Sequence, residues 1–185
     1  MSLESRFITI VLTGPTSGLG LELAKIFSKR NANLILVGRD LQRLEAHVDT
    51  KSSSLRFVEF DLASLTEAAS AAALANTLTA ELKSTRPDEV LFISNAGVVV
   101  PIGISGLDFC ADLIAATAVN FLTPALITAV CTEYTHNHGL PLKILNVSSG
   151  AATRPILGWE VYCATKCAAR MYFDVLNGEG RQGLE

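Results

Sequence analysis

Thr13-Gly14-Pro15-Thr16-Ser17-Gly18-Leu19-Gly20 follows the apolar run that begins at Phe7 and precedes apolar residues spaced at Leu19, Leu23, Ile26 and Phe27. The run before it reads as a buried strand and the spacing after it as a helix, Leu19 to Arg30. A glycine cluster alone would suit any tight turn. At a strand-to-helix junction it suits a pyrophosphate, because glycines let the backbone approach and a helix start offers free N–H groups and a positive dipole end. Gly14, Thr16, Ser17, Gly18, Leu19 and Gly20 are therefore the expected cofactor cradle.

Outward from this turn, strands and helices alternate. Asn33–Val37 reads as a second strand and Leu41–Val48 as a second helix. Leu55–Phe60 reads as a third strand, and Ser64–Lys83 as a long helix with Ser64 as its cap. Val90–Ser94 is the fourth strand. A Gly/Pro-containing connection through Gly106 leads to a helix from about Leu107 to Tyr134, then a strand, Leu142–Val147, and a last helix, Trp159–Leu176. Strands that are apolar throughout, separated by helices, indicate an α/β fold, a doubly wound parallel sheet covered on both faces. No linker or short repeat interrupts the chain, so residues 1–185 are expected to form a single domain.

Tyr162 and Lys166 are four residues apart and share one helix face. A free tyrosine titrates near ~10, and a neighbouring ammonium favours the phenolate, bringing the pair toward proton transfer at neutral pH. Alone, such a pair is a common accident. Ser148 and Ser149, however, sit at the C-terminal end of the fifth strand, the edge where doubly wound sheets bind ligands. A serine there can donate to a substrate carbonyl and stabilise the charge that develops on its oxygen.

The order Thr-Gly-x-x-x-Gly-x-Gly, Asp61, Asn95-Ala96-Gly97, Asn120, Ser148-Ser149 and Tyr162-Cys163-Ala164-Thr165-Lys166 resembles the short-chain dehydrogenase/reductase family over most of the chain. The resemblance implies a metal-free hydride transfer in which Ser149 polarises the carbonyl and Tyr162 supplies the proton. Lys166 supports the tyrosine and reaches the nicotinamide ribose, and Asn120 helps hold a water near the lysine. It also implies that Asp61 and Leu62 hold the adenine edge, while Asn95, with Ala96 and Gly97, lies beside the cofactor. Where an acidic residue would select NADH, this chain has Gly38-Arg39. Arg39 can meet a 2′-phosphate through charge-assisted hydrogen bonds, so NADP(H) is expected over NAD(H). Asp40 is expected to cap the next helix. Asn146–Ser149, Gly158-Trp159 and Tyr162–Ala164 resemble the sepiapterin reductases and benzil-type diketone reductases, which implies a diketone or pterin-like ketone as substrate.

Net charge is −3 with scattered basic residues, and nothing in that pattern suggests a nucleic-acid face or polybasic membrane patch. No secretory signal is evident, and Ala68–Ala75 is too short to cross a bilayer. Cys110, Cys131, Cys163 and Cys167 form no CxxC pair, as expected of reduced thiols in a cytoplasmic protein. His136 and His138 are expected in a solvated loop rather than at a metal. The family's dimer surface, the last two helices, implies a homodimer or homotetramer. Relative to the family the chain is C-terminally short: Asn177–Glu185 holds none of the usual later strands or the Pro-Gly cofactor loop. A sheet ending after strand five is expected to expose an apolar edge. The alternative reading is a truncated, non-catalytic member that binds a nucleotide or a partner chain; a sugar-nucleotide epimerase of the extended branch fits the glycine spacing less well.

Overall fold

The computed structural model describes residues 7–44, 46–48, 54–103 and 110–179. Strands β1 (Ile8–Thr13), β2 (Ala32–Gly38), β3 (Ser54–Glu59), β4 (Glu89–Ser94) and β5 (Leu142–Asn146) form one sheet in the order β3-β2-β1-β4-β5. Every pairing is parallel, with Ile8 opposite Ala32 on one side and Glu89 on the other. The strands read as unbroken apolar runs because both faces are covered. Val11, Ile35, Val37 and Phe92 pack beneath helix α2 (Ala68–Thr85) and the long helix that follows β4. The alternate residues Ile10, Leu12, Leu34, Leu36 and Ile93 pack on the opposite face with Ala24 of helix α1 (Gly18–Ser28). The chain reverses its winding between β1 and β4, and this opens a crevice at their C-terminal ends.

Two helix expectations change. Leu41–Leu44 is a 3₁₀ turn, not the start of a helix reaching Val48, and Glu45 lies outside the described residues. In a 3₁₀ turn residues i and i+3 eclipse, which is how Leu41 and Leu44 both reach the core. Asp40 precedes that turn at φ 54°. Helix α2 starts at Ala68 rather than Ser64. Asp61 caps its own 3₁₀ turn, Leu62–Ser64, by accepting from Ala63 N at 3.1 Å, and Ser64 donates back to Asp61 O at 2.7 Å. Glu67 and Ser70 then cap α2 reciprocally.

The helix expected from Leu107 is described from Cys110; Leu107–Phe109 lie outside the described residues. It comprises α3 (Cys110–Thr117), a π-turn at Ala118–Leu122 and α4 (Thr123–His138). By length and composition Cys110–His138 could cross a membrane, yet half of its most apolar stretch is buried in the fold. Ile127 and Cys131 join the core there, and burial pushes the Cys131 thiol up to about 12. His136 and His138 belong to the last turn of α4, not to a loop, and Gly139 closes it at φ 64°. His138 Nδ1 lies 2.7 Å from Tyr134 O and its ring stacks on Tyr134. Helix α5 (Glu160–Gly178) packs beside the π-turn. On the sheet edge, Leu145 of β5 is half exposed.

Candidate active site

The turn after β1 is held by backbone and by absent side chains. Gly14 takes φ 65° and donates to Val37 O at 3.0 Å. A Cβ on Gly20 would stand 2.1 Å from Gly14 O and 2.5 Å from Asn95 Nδ2, so only glycine lets α1 start this close to the turn. Asn95 Nδ2 donates to Thr13 O at 3.0 Å and to Gly14 O at 3.1 Å. Thr13 Oγ1 accepts from Asn95 N and Ala96 N, both at 3.0 Å. These bonds lock the ends of β1 and β4 together across the crevice. Thr13 opened the glycine motif in the sequence, but its clamping role depends on a strand pairing that spacing does not reveal. Ser17 occupies the α1 N-cap position with extended backbone, and its hydroxyl makes no capping bond. The first N–H groups of α1 therefore carry no side-chain cap.

A cavity of about 510 Å³ opens over this turn. Gly14, Thr16, Ser17, Leu19, Gly20, Arg39, Asp61, Leu62, Asn95, Ala96 and Gly97 line it, with Asp40, Phe60, Val98 and Val100 among the rest. Gly18 is not in the wall; it serves the turn with φ 52° and open space around its Cβ position. Arg39 Nη1 is 3.7 Å from Asp61 Oδ1 across the mouth. Both groups are well exposed, so the pair contributes about 1 kcal/mol or less and leaves the guanidinium available to a ligand. The cradle fits a dinucleotide: glycine backbone and uncapped N–H groups at one end, and a cation at the other. No group of three or more metal-ligating side chains occurs among the described residues.

The wall of this cavity includes none of Ser149, Tyr162 and Lys166, the second expected set. Lys166 is buried, its Nζ donates to Val147 O at 3.0 Å, and it lies 6.0 Å from the Tyr162 ring centroid. Burial lowers its pKa from the ordinary lysine range. Tyr162 packs edge-to-face with Trp159 at 5.6 Å. Ser149 Oγ accepts from Ala151 N at 3.2 Å and begins the turn after β5, two residues beyond the carbonyl that holds Lys166. Gly97 joins the two halves. It lines the cavity, and a Cβ there would lie 3.5 Å from Asn120 Oδ1 and 3.7 Å from Lys166 Nζ.

Asn120 occupies the centre of the π-turn. Its Oδ1 accepts from Val98 N at 2.9 Å, and its Nδ2 donates to Val98 O at 2.9 Å and to Thr165 Oγ1 at 3.1 Å. The side chain is thus a clamp between the β4 loop and α5, and both amide protons are in use. Pro124 has no N–H to offer the Asn120 carbonyl four residues back. Thr165 and Val98 carried no signal in the sequence beyond their place beside named motifs.

A family model described as short chain dehydrogenase matches residues 8–183. The chain belongs to the short-chain dehydrogenase family. A benzil reductase ((S)-benzoin forming) of Bacillus cereus is 24 % identical over 164 residues, covering 88 % of this chain and 65 % of that protein. The sepiapterin reductase of Bos taurus is 30 % identical over 187 residues, covering 91 % and 66 %. The chain therefore spans about two thirds of the length of these curated relatives. The crystal structure of a short-chain dehydrogenase/reductase from Burkholderia vietnamiensis superposes with a TM-score of 0.81 at 28 % identity, covering 98 % of this chain and 81 % of that one.

Proposed function

We propose that this protein reduces the carbonyl of a small diketone or pterin-like ketone with NADPH, through Ser149, Tyr162 and Lys166. The observation that carries the proposal is the position of Lys166, hydrogen-bonded to Val147 O and 3.7 Å from the Cβ position of the cavity glycine Gly97. Gly14, Gly20 and Gly97 would hold the nicotinamide cofactor, which would supply the hydride chemistry. Tyr162 donates its phenolic proton to the oxygen as charge develops there. Ser149 donates a second hydrogen bond to that oxygen, which requires its hydroxyl to keep its proton while it accepts from Ala151 N. Lys166 presents a charge beside the tyrosine and has two further N–H donors for the ribose and a water.

Arg39 supports the choice of NADPH: a 2′-phosphate can displace the weak contact with Asp61 and gain charge-assisted hydrogen bonds. The names of the benzil and sepiapterin reductases support the substrate class. We propose a cytoplasmic homodimer or homotetramer built on α4 and α5; Leu122, in the π-turn that precedes α4, and Met171 and Val175 of α5 expose apolar surface. The test is loss of NADPH absorbance with 1-phenyl-1,2-propanedione in the wild type and in Ser149→Ala. Turnover that falls about 100-fold or more in the variant supports the reading. Tight NADPH binding without turnover of any diketone or pterin would favour a non-catalytic nucleotide-binding protein.

A further inference from the structure

We infer that Thr165 is a positioning residue that couples the nicotinamide side of the cavity to Tyr162 and Lys166. The inference rests on the reductase reading above. Thr165 is buried, and its hydroxyl lies at the junction of three segments. It accepts from Asn120 Nδ2 at 3.1 Å. Its own proton is shared between Val161 O at 2.9 Å and Tyr162 O at 3.1 Å, the carbonyls of the α5 turn that carries the tyrosine. Asn120 in turn grips both backbone groups of Val98, which lines the cavity directly after Asn95-Ala96-Gly97. An unbroken chain of hydrogen bonds therefore runs from the wall of the cavity, through the π-turn, to the helix face bearing Tyr162, with Lys166 next in sequence to Thr165.

The alternative role for such a threonine is local: a helical hydroxyl bonded to the i−4 carbonyl merely satisfies itself. The Asn120 contact argues against that. Asn120 is buried at 2 % exposure, and without the Thr165 oxygen one of its amide protons has no acceptor among the described residues. A buried donor that loses its acceptor moves to find another, and here the π-turn and the inner turn of α5 move with it. The expected consequence is lost alignment of Tyr162 and Lys166 against the cavity, with the cavity itself intact. Displacements of about 1 Å at reacting groups cost on the order of 100-fold in rate.

The experiment compares Thr165→Val and Thr165→Ser with the wild type in two measurements. Thr165→Val keeps the shape and deletes the hydroxyl; Thr165→Ser restores it and reports whether the fold tolerates change there. In diketone reduction, Thr165→Val should lower kcat about 10- to 100-fold, with KM and NADPH affinity within about threefold, while Thr165→Ser keeps most of kcat. Trace acetylation of the protein without cofactor, read on the Lys166 peptide by mass spectrometry, should show Lys166 labelled at least about threefold faster in Thr165→Val and unchanged in Thr165→Ser. An unchanged labelling rate in a folded Thr165→Val protein overturns the inference, as does a parallel loss of kcat and NADPH affinity in both variants. If the wild type turns over no carbonyl compound while the labelling difference stands, the coupling is retained and the reductase reading fails.

Discussion

Gly20→Ala is the substitution with the clearest arithmetic. Inside a helix, alanine ordinarily gains about 1 kcal/mol over glycine, and Gly20 lies in the first turn of α1. Here the new Cβ would stand 2.1 Å from Gly14 O and 3.0 Å from the carbon that bears it. An ordinary contact sits near ~3.5 Å, so the turn must withdraw by more than about 1 Å. The withdrawal strains both backbone segments, at about 1–3 kcal/mol. It also stretches the two bonds from Asn95 Nδ2 to Thr13 O and Gly14 O, each worth about 1 kcal/mol. Net of the helix gain, the cost is about 2–4 kcal/mol. Expressed on the ligand-competent turn, that is about 30- to 700-fold in NADPH affinity. Fluorescence titration with NADPH measures it, with thermal unfolding as control. Gly18→Ala is the internal comparison. Nothing lies within 4 Å of its Cβ position, so its penalty is conformational only, from φ 52°, about 1–2 kcal/mol. A Gly20→Ala protein that binds NADPH within threefold of the wild type, or more tightly than Gly18→Ala, would refute the close-approach argument.

The other predictions concern single groups. Tyr162→Phe should lower the rate of carbonyl reduction by about 100- to 10,000-fold, the usual range for a general acid, with NADPH affinity nearly unchanged; steady-state kinetics and titration read the two effects. Arg39→Asp should weaken NADPH at least about tenfold more than NADH, because it removes a charge-assisted bond and adds repulsion of the 2′-phosphate; parallel titrations test this, and an unchanged ratio counts against the contact. Lys166 has a folded-state pKa below its unfolded one through burial, so between those two values the unfolded chain binds more protons. Stability relative to Lys166→Met should therefore rise with pH through that window and flatten below the folded pKa, as denaturant unfolding at several alkaline pH values would show. Cys110 and Cys167 are exposed whereas Cys131 is buried with its thiol pushed up to about 12. A chromogenic disulfide reagent should modify the first two rapidly and Cys131 only on unfolding.

The fold was legible where burial dictates pattern. A parallel sheet covered on both faces needs apolar strands, and β1, β2, β4 and β5 begin and end within a residue or so of their sequence-based limits. Boundaries set by local polar contacts were less legible. Ser64 looked like a helix cap, but Asp61 takes the Leu62–Ser64 turn and Glu67 the helix, a choice made by hydrogen bonds a few residues long. The turn at Leu41 is 3₁₀ rather than α-helical, and its spacing of three brings Leu41 and Leu44 to the core that Val48 also joins. At the site, the glycine turn and the Tyr162–Lys166 face were readable because each depends on local spacing. Thr13 and Thr165 were not. Their partners are 82 and 45 residues away, and nothing in a threonine's neighbourhood announces a clamp. The π-turn at Asn120 was foreshadowed only by an asparagine ahead of a proline.

The most direct test of the central claim follows the hydrogen itself. NADPH carrying deuterium at both C4 positions is incubated with the protein and 1-phenyl-1,2-propanedione, and the product is examined by mass spectrometry and NMR. The expected product is an alcohol with one deuterium on its carbinol carbon, formed by the wild type and essentially absent with Tyr162→Phe. No alcohol from a protein that binds NADPH tightly, or an equal yield from Tyr162→Phe, would contradict it.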